Sequence, residues 1–444
     1  MRGAYMTKDV NQIKKLAYDA VFAADSQAKD SNILKIRKLA AERGLYLASI
    51  QGLYEAAGKG KYSGKTVPAM NIRGLTFHTA RAAYRAAIKD KVGALIFEIA
   101  RSEIGYTLQR PAEYTACVLA AAIAEGFKGP VFMQGDHFQI NAGKYKADPQ
   151  KELNAIMDLV QEAVAAGFYN IDIDASTVVD LSKATIEEQQ KENARITAEM
   201  TKFIRKLQPQ GITISIGGEI GEVGTTNSTV EDLDAFMSGY RKLIGPDIKG
   251  ISKISVQTGT THGGVVLPDG SIAKVNLDFK TLEDLSRTAR EKYSMGGAVQ
   301  HGASTLPDEA FNKFPEVGTL EVHLATGFQN IIFDSPHFPN SLIQKINSSL
   351  IQKYTAERKT GETDEQFLYK TRKKAFGDFK KEMWDLPESA LVSIGAELED
   401  RFSLLFRKLN VINTMGLVKK YVKPVPAQYA DVFIDDFNYG SQKK

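Results

Sequence analysis

The sequence predicts an α/β fold, a (β/α)8 (TIM) barrel with helices before it and a helical C-terminal extension after it. Two observations predict it. Eight short, near-continuous apolar runs follow one another between residues 67 and 326, and stretches with helical periodicity lie between them. Runs that are apolar along their whole length suit a parallel sheet buried on both faces. Eight strand–helix units are the number that closes such a sheet into a barrel, whereas an open doubly wound sheet sets no particular count.

The elements follow in order. Residues 1–64 read as helical, over 7–28, 31–43 and 45–58, and the Gly- and Lys-rich stretch Gly58 to Lys65 reads as a loop. The eight runs are VPAMNI (67–72), GALIFEIA (93–100), GPVFMQGDH (129–137), YNIDIDAS (169–176), ITISIGGEIG (212–221), ISKISVQTG (251–259), GGAVQHGAS (296–304) and GTLEVHLAT (318–326). The helical patterns between them include 150–166, 185–207, 230–243 and 279–292. After Phe333 the strand signal stops, and 340–355, 363–382 and 387–407 read as helices. The expected organisation is therefore a helical segment over 1–64, a barrel over 65–335 and a helical extension over 336–444.

Composition narrows the classes. With 57 basic against 53 acidic side chains the net charge is only +4, which gives no reason to expect nucleic acid or an anionic membrane as a partner. No apolar run approaches a membrane span, and the N-terminus lacks the apolar core of a secretory signal. The one cysteine, Cys117, cannot form an internal disulfide and lies on an apolar helical face, where it reads as core. A cytoplasmic protein is expected.

In such a barrel the chemistry sits where the strands end. Four of the six histidines, His137, His262, His301 and His323, lie at or just beyond the ends of four different runs. A single histidine there is usually a structural hydrogen-bonder. Three of them, His137, His262 and His301, converging with Glu219 make a metal site the better reading, and the imidazole and carboxylate donors suit Zn²⁺ or another divalent first-row ion. Asp136 directly precedes one proposed ligand; it is read as a general acid/base, against the alternative that it orients a histidine. Gly263, Gly264 and Gly302 each follow a proposed ligand and leave room for an anion to approach the backbone. Ser304 and Thr326 stand at the loops after strands seven and eight, where many barrels bind phosphate.

These segments resemble the class II, metal-dependent ketose-bisphosphate aldolases of the fructose and tagatose type. The resemblance rests on VPAMNIRGLTFHTA, GDH at 135–137, GEIG at 218–221, THGG at 261–264 leading to VNLDFKTLEDL, and above all HGASTLPDE at 301–309. It implies that His137, Glu219, His262 and His301 hold the metal and that Asp136 handles the proton of the C4 hydroxyl. It also implies that Gly263, Gly302, Ser304 and Thr326 cradle a phosphate, with Asn71 and Gly264 beside the substrate. Such aldolases polarise the ketose carbonyl with the metal and cleave C3–C4 to dihydroxyacetone phosphate and an aldehyde.

The chain departs from that pattern. Asn227 stands where a second acid is expected, leaving Glu222 as the substitute, and His323 replaces an asparagine on strand eight. Ala100 stands where a phosphate-binding serine is expected. Other segments, IFEIARS with Glu98, QGDHFQIN, IDIDAS and VQTG, resemble the accessory subunit of tagatose-bisphosphate aldolase and its sugar 4-epimerase relatives. The reading placed first is an aldolase of a ketose phosphate. The second is a metal-dependent 4-epimerase of a ketose phosphate or uronate, with His323 as a second acid/base opposite Asp136. The third is an accessory subunit of another aldolase. A homo-oligomer, dimer or tetramer, is expected by analogy.

Overall fold

The computed structural model describes residues 2–221, 226–259, 267 and 277–425. Among these, nine strands occur: β1 (Leu45–Leu47), β2 (Val67–Asn71), β3 (Ile96–Ala100), β4 (Gly129–Gln139), β5 (Asn170–Asp174), β6 (Ser215–Glu219), β7 (Lys253–Val256), β8 (Ala298–Gln300) and β9 (Glu321–Leu324). Strands β2 to β9 pair in parallel, each with the next, and β9 pairs back onto β2, so the eight expected strands close into a barrel without a free edge. Helices alternate with them, and further helices follow β9.

The ninth strand is outside the barrel and was not expected. Residues 45–58 divide into β1 and a helix over Gln51–Gly58. β4 begins early enough to pair Gly129–Val131 with Leu45–Leu47, while its later residues pair inside the barrel. Asn170, at the start of β5, secures the junction: its Oδ1 accepts from Ile50 N at 2.8 Å, and its amide donates to the carbonyls of Ala48 and Met133. The helix that follows carries Tyr54, fully buried, whose hydroxyl donates to Glu321.

Two other helices are shorter than the pattern suggests. The first ends at Phe22 and the second begins at Ser26, because the Asp25 carboxylate accepts from Ala28 N at 2.7 Å and caps a new helix. The stretch 363–382 breaks into Asp364–Thr371, a 3-10 turn at Arg372–Lys374, then Ala375–Asp378 and Lys380–Trp384. This segment is pressed against the barrel mouth at two glycines. A Cβ on Gly377 would lie 2.1 Å from the Tyr106 carbonyl oxygen, and one on Gly74 would lie 1.9 Å from the Phe376 ring. The last long helix, Glu388–Lys408, lies on the helix Thr76–Lys89, with Arg85 bonded to Glu399 and to the carbonyl of Gly395.

Trp384 joins the parts. Its ring centroid lies 5.6 Å from that of Phe22, 6.5 Å from Phe77 and 5.7 Å from His78. His78 is buried there and its Nε2 has no hydrogen-bond partner. Burial, helped by Lys14, Arg81 and Arg85, lowers its pKa from 6.5 to about 3. The unfolded chain therefore takes up a proton below pH 6.5 that the folded chain refuses, and stability falls as pH drops from there toward 3. His78→Phe removes this proton uptake. Denaturant titrations at pH 7 and pH 5 should find the variant gaining on the parent by about 2 kcal/mol over that interval, at about 1.4 kcal/mol per pKa unit. Parallel pH profiles for the two proteins would exclude a neutral buried His78.

Candidate active site

The cleft at the C-terminal ends of the strands has a volume of about 540 Å³. Asn71, Asp136, His137, His301, Gly302, Ser304, His323 and Thr326 all line it. Glu219 lies within reach of His137, with its Oε2 3.1 Å from His137 Nδ1. Glu222, His262, Gly263 and Gly264 lie outside the described residues. Asn227 does not line the cleft; its amide donates to Asp278 at 3.1 Å.

A bulge brings Asp136 and His137 to the same side. Adjacent residues of a strand normally face opposite ways. Here Gly135 pairs with Ile171 and Phe138 with Ile173, so β4 carries one residue more than β5 across this interval. His137 takes up the difference with φ of 40°, a left-handed backbone that a non-glycine residue rarely adopts. Gly135 makes room, since a Cβ there would meet the Phe138 ring at 2.5 Å.

The side chains interlock. The rings of His137 and His301 lie 4.1 Å apart, as do those of His301 and His323. His137 Nδ1 is 3.0 Å from Asp174 Oδ2, and His301 Nε2 is 3.0 Å from Ser255 Oγ. Asp136 Oδ1 lies 3.8 Å from His137 Nε2, 3.9 Å from His301 Nδ1 and 3.0 Å from His323 Nδ1. His323 has carboxylates on both sides: Asp136 and Glu98 at Nδ1, the latter at 3.2 Å, and Glu321 at Nε2, at 2.5 Å. His323 and Asp136 are thus bonded neighbours and do not oppose each other across the cleft.

Electrostatics follow from this crowding. Burial disfavours charge on His137, but Asp136, Glu219 and Asp174 outweigh it and raise its pKa well above the ordinary value. Burial also opposes the charge on His323, which Glu98, Asp136 and Glu321 raise in the same way. Burial would push the Asp136 carboxyl up, yet His137, His323 and His301 hold it well below the usual range. Glu98 goes the other way, its pKa raised well above the ordinary value by burial and by Asp136.

Under the cleft lies a second polar layer, which the sequence reading missed. Lys253, wholly buried on β7, donates to Glu321 at 2.5 Å and to Gln134 Oε1 at 2.8 Å, and its ammonium pairs with Asp172 Oδ2 at 2.8 Å. Gln134 Nε2 in turn donates to Glu98 and Glu321. The signal was a charged residue inside an apolar run, Lys253 in ISKISV and Glu321 in TLEVHL. Arg73 was missed too; it bonds Glu103 at 2.8 Å and Thr326 Oγ1 at 3.2 Å, beside Asn71, whose amide is also bound to Glu103.

Among the described residues four groups of side chains offer atoms close enough to share an ion: Asp136 with His137 and His301, His137 with Asp174 and Glu219, and two around His323, with Glu98 and Asp136 and with Asp172 and Glu321. All the donors are imidazole nitrogens or carboxylate oxygens, and the carboxylates around them select for positive charge, so the set fits a divalent ion.

The family profile of class-II fructose-bisphosphate aldolases matches residues 48–390. The chain belongs to this family. Class-II aldolases depend in general on a divalent metal, in keeping with the clustered acids and histidines. No curated protein matches the chain by sequence. Among solved structures, the fructuronate-tagaturonate epimerase of Cohnella laeviribosi is similar, with a TM-score of 0.57 at 12% identity, over 89% of this chain and 90% of that one. A probable tagatose 6 phosphate kinase from Sinorhizobium meliloti gives 0.53 at 14% identity, over 80% and 93%. The YdjI aldolase of Escherichia coli K12 gives 0.47 at 14% identity, over 84% and 100%. At these identities the first two likenesses speak for the barrel fold. No helix among the described residues of this class-II aldolase family member is long and apolar enough to cross a membrane.

Proposed function

We propose that the protein is a metal-dependent aldolase that cleaves a ketose phosphate, of the fructose- or tagatose-1,6-bisphosphate type, to dihydroxyacetone phosphate and an aldehyde, and runs the reverse condensation. The observation that carries this reading is the β4 bulge, which sets an ionised, deeply buried Asp136 among three histidines at the cleft. His137, His301 and Glu219, with His262, would hold zinc or another divalent first-row ion. When bound, that ion supplies electrophilic polarisation of the ketose carbonyl.

The chain's own groups do the rest. Asp136 accepts the proton of the C4 hydroxyl as the C3–C4 bond breaks. The electrons of that bond pass to C3, and a carbonyl forms at C4. His323, donating Nδ1–H to Asp136, keeps it a carboxylate until the proton arrives. Glu222 is the candidate to protonate C3. Ser304, Thr326 and Gly302, with Gly263 and Gly264, hold the phosphate, and Asn71 contacts the sugar. Epimerisation by two acid/base groups on opposite faces fits less well, because Asp136 and His323 are bonded side by side.

The test is product analysis by NMR with metal-loaded protein and fructose 1,6-bisphosphate or tagatose 1,6-bisphosphate. Triose phosphate that disappears on chelation is the expected result. A new ketose without triose would replace the aldolase reading with the epimerase.

A further inference from the structure

Lys373 stands apart from the other cations of the cleft. It lies on the 3-10 turn Arg372–Lys374, far along the chain from the barrel strands, yet it lines the same cavity as Asp136 and Ser304. The turn is held from both sides. Arg372 bonds Asp334 and Asn330, and the residues that follow are pressed against the barrel at Gly74 and Tyr106. The Lys373 ammonium lies 5.6 Å from the centroid of the Tyr106 ring.

Of the other cations lining the cleft, Lys144 stands on the exposed helix Ala142–Ala147, and the two arginines are already matched. Arg73 is neutralised by Glu103, and Arg101 by Glu152. Among the described residues Lys373 has neither a hydrogen bond nor a carboxylate within ion-pair distance. Burial and the charge of Arg73 depress its pKa, against the smaller opposing pull of Glu103 and Glu357. Beside it on the cavity wall are the hydroxyls of Ser304 and Thr326. Thr326 also opens the helix Thr326–Asp334, whose first N–H groups have no carbonyl behind them within the helix.

We propose that Lys373 completes a phosphate subsite, reaching in from beyond the barrel to meet Arg73, Ser304, Thr326 and the start of that helix. This rests on the aldolase reading for which substrate carries the phosphate, though not for the subsite itself. A phosphate has oxygens enough to meet an ammonium, two hydroxyls and backbone N–H groups at once, and a compact ammonium is a common phosphate partner. The segment that follows β9 thereby acts in substrate selection.

The probe is glycerol 3-phosphate, a phosphate monoester with no ketone that cannot be cleaved, titrated calorimetrically into the full-length, metal-loaded protein. Lys373→Gln is expected to weaken binding by about tenfold or more, and Lys373→Arg to stay within about threefold of the parent, tenfold being about 1.4 kcal/mol. Glycerate, the carboxylate counterpart, should bind more weakly than the phosphate. Equal binding by the Gln variant, no binding by the parent at millimolar concentration, or glycerate binding as tightly as the phosphate would each overturn the proposal. Lys373-dependent binding in a protein that releases no triose phosphate would uphold the subsite and overturn only the aldolase reading.

Discussion

Asp136→Ala is expected to lower turnover of a ketose phosphate by about 10²–10⁴-fold, the usual loss on removing a general acid/base. Bound metal, measured by atomic absorption, should remain near the parent's content, whereas His301→Ala should lose it. The two arms separate the roles of neighbours that share one pocket. The Asp136 carboxylate lies 3.8 and 3.9 Å from the nearest nitrogens of His137 and His301, but bonds His323 at 3.0 Å. An Asp136→Ala variant that keeps its turnover would return the residue to the orienting role weighed at the outset. One that loses metal and turnover together would make it a ligand.

Lys253→Met should be the most destabilising of the single substitutions considered. Lys253 is wholly buried and is the shared partner of Asp172 and Glu321. Burial opposes its charge, but the two carboxylates raise its pKa well above the ordinary value. Burial would raise Glu321 as well, yet Lys253 and His323 bring it down to about 2. Removing the ammonium leaves buried carboxylates without compensation, a loss of about 3–5 kcal/mol. Thermal unfolding would measure it, and adding Glu321→Gln to Lys253→Met should recover part of the loss through their coupling. An unchanged melting temperature in the single variant would mean that the layer under the cleft reorganises freely.

The sequence carried the barrel because burial on both faces makes each strand apolar along its length, and the eight runs stand apart from the helices between them. It was less informative where tertiary contact overrides local pattern. Leu45–Leu47 is a strand only because β4 extends past the barrel to meet it. The turn at Arg372–Lys374 owes its place to close packing at Gly74 and Gly377, which no periodicity encodes. At the site, the histidines at strand ends were legible, since few residues do their chemistry and few positions face the cleft. That Asp136 and His137 share a side was not, because it depends on one extra residue in β4 relative to β5. Lys253 and Glu321 looked like interruptions of apolar runs, and only closure of the barrel brings them together. Glu222, His262, Gly263 and Gly264 lie outside the described residues, and their roles rest on their places in the sequence and on the resemblance.

The junction at Trp384 also has a spectroscopic consequence. The chain contains one tryptophan, and it sits where the first helix, the helix Thr76–Lys89 and the segment bearing Lys373 meet. Its fluorescence therefore comes from a single place, sensitive to how closely the segment after β9 rests on the barrel. His78 lies against that ring, and a protonated imidazole there would quench the emission. The protein thus carries an intrinsic optical reporter for the packing at this junction, readable without a label.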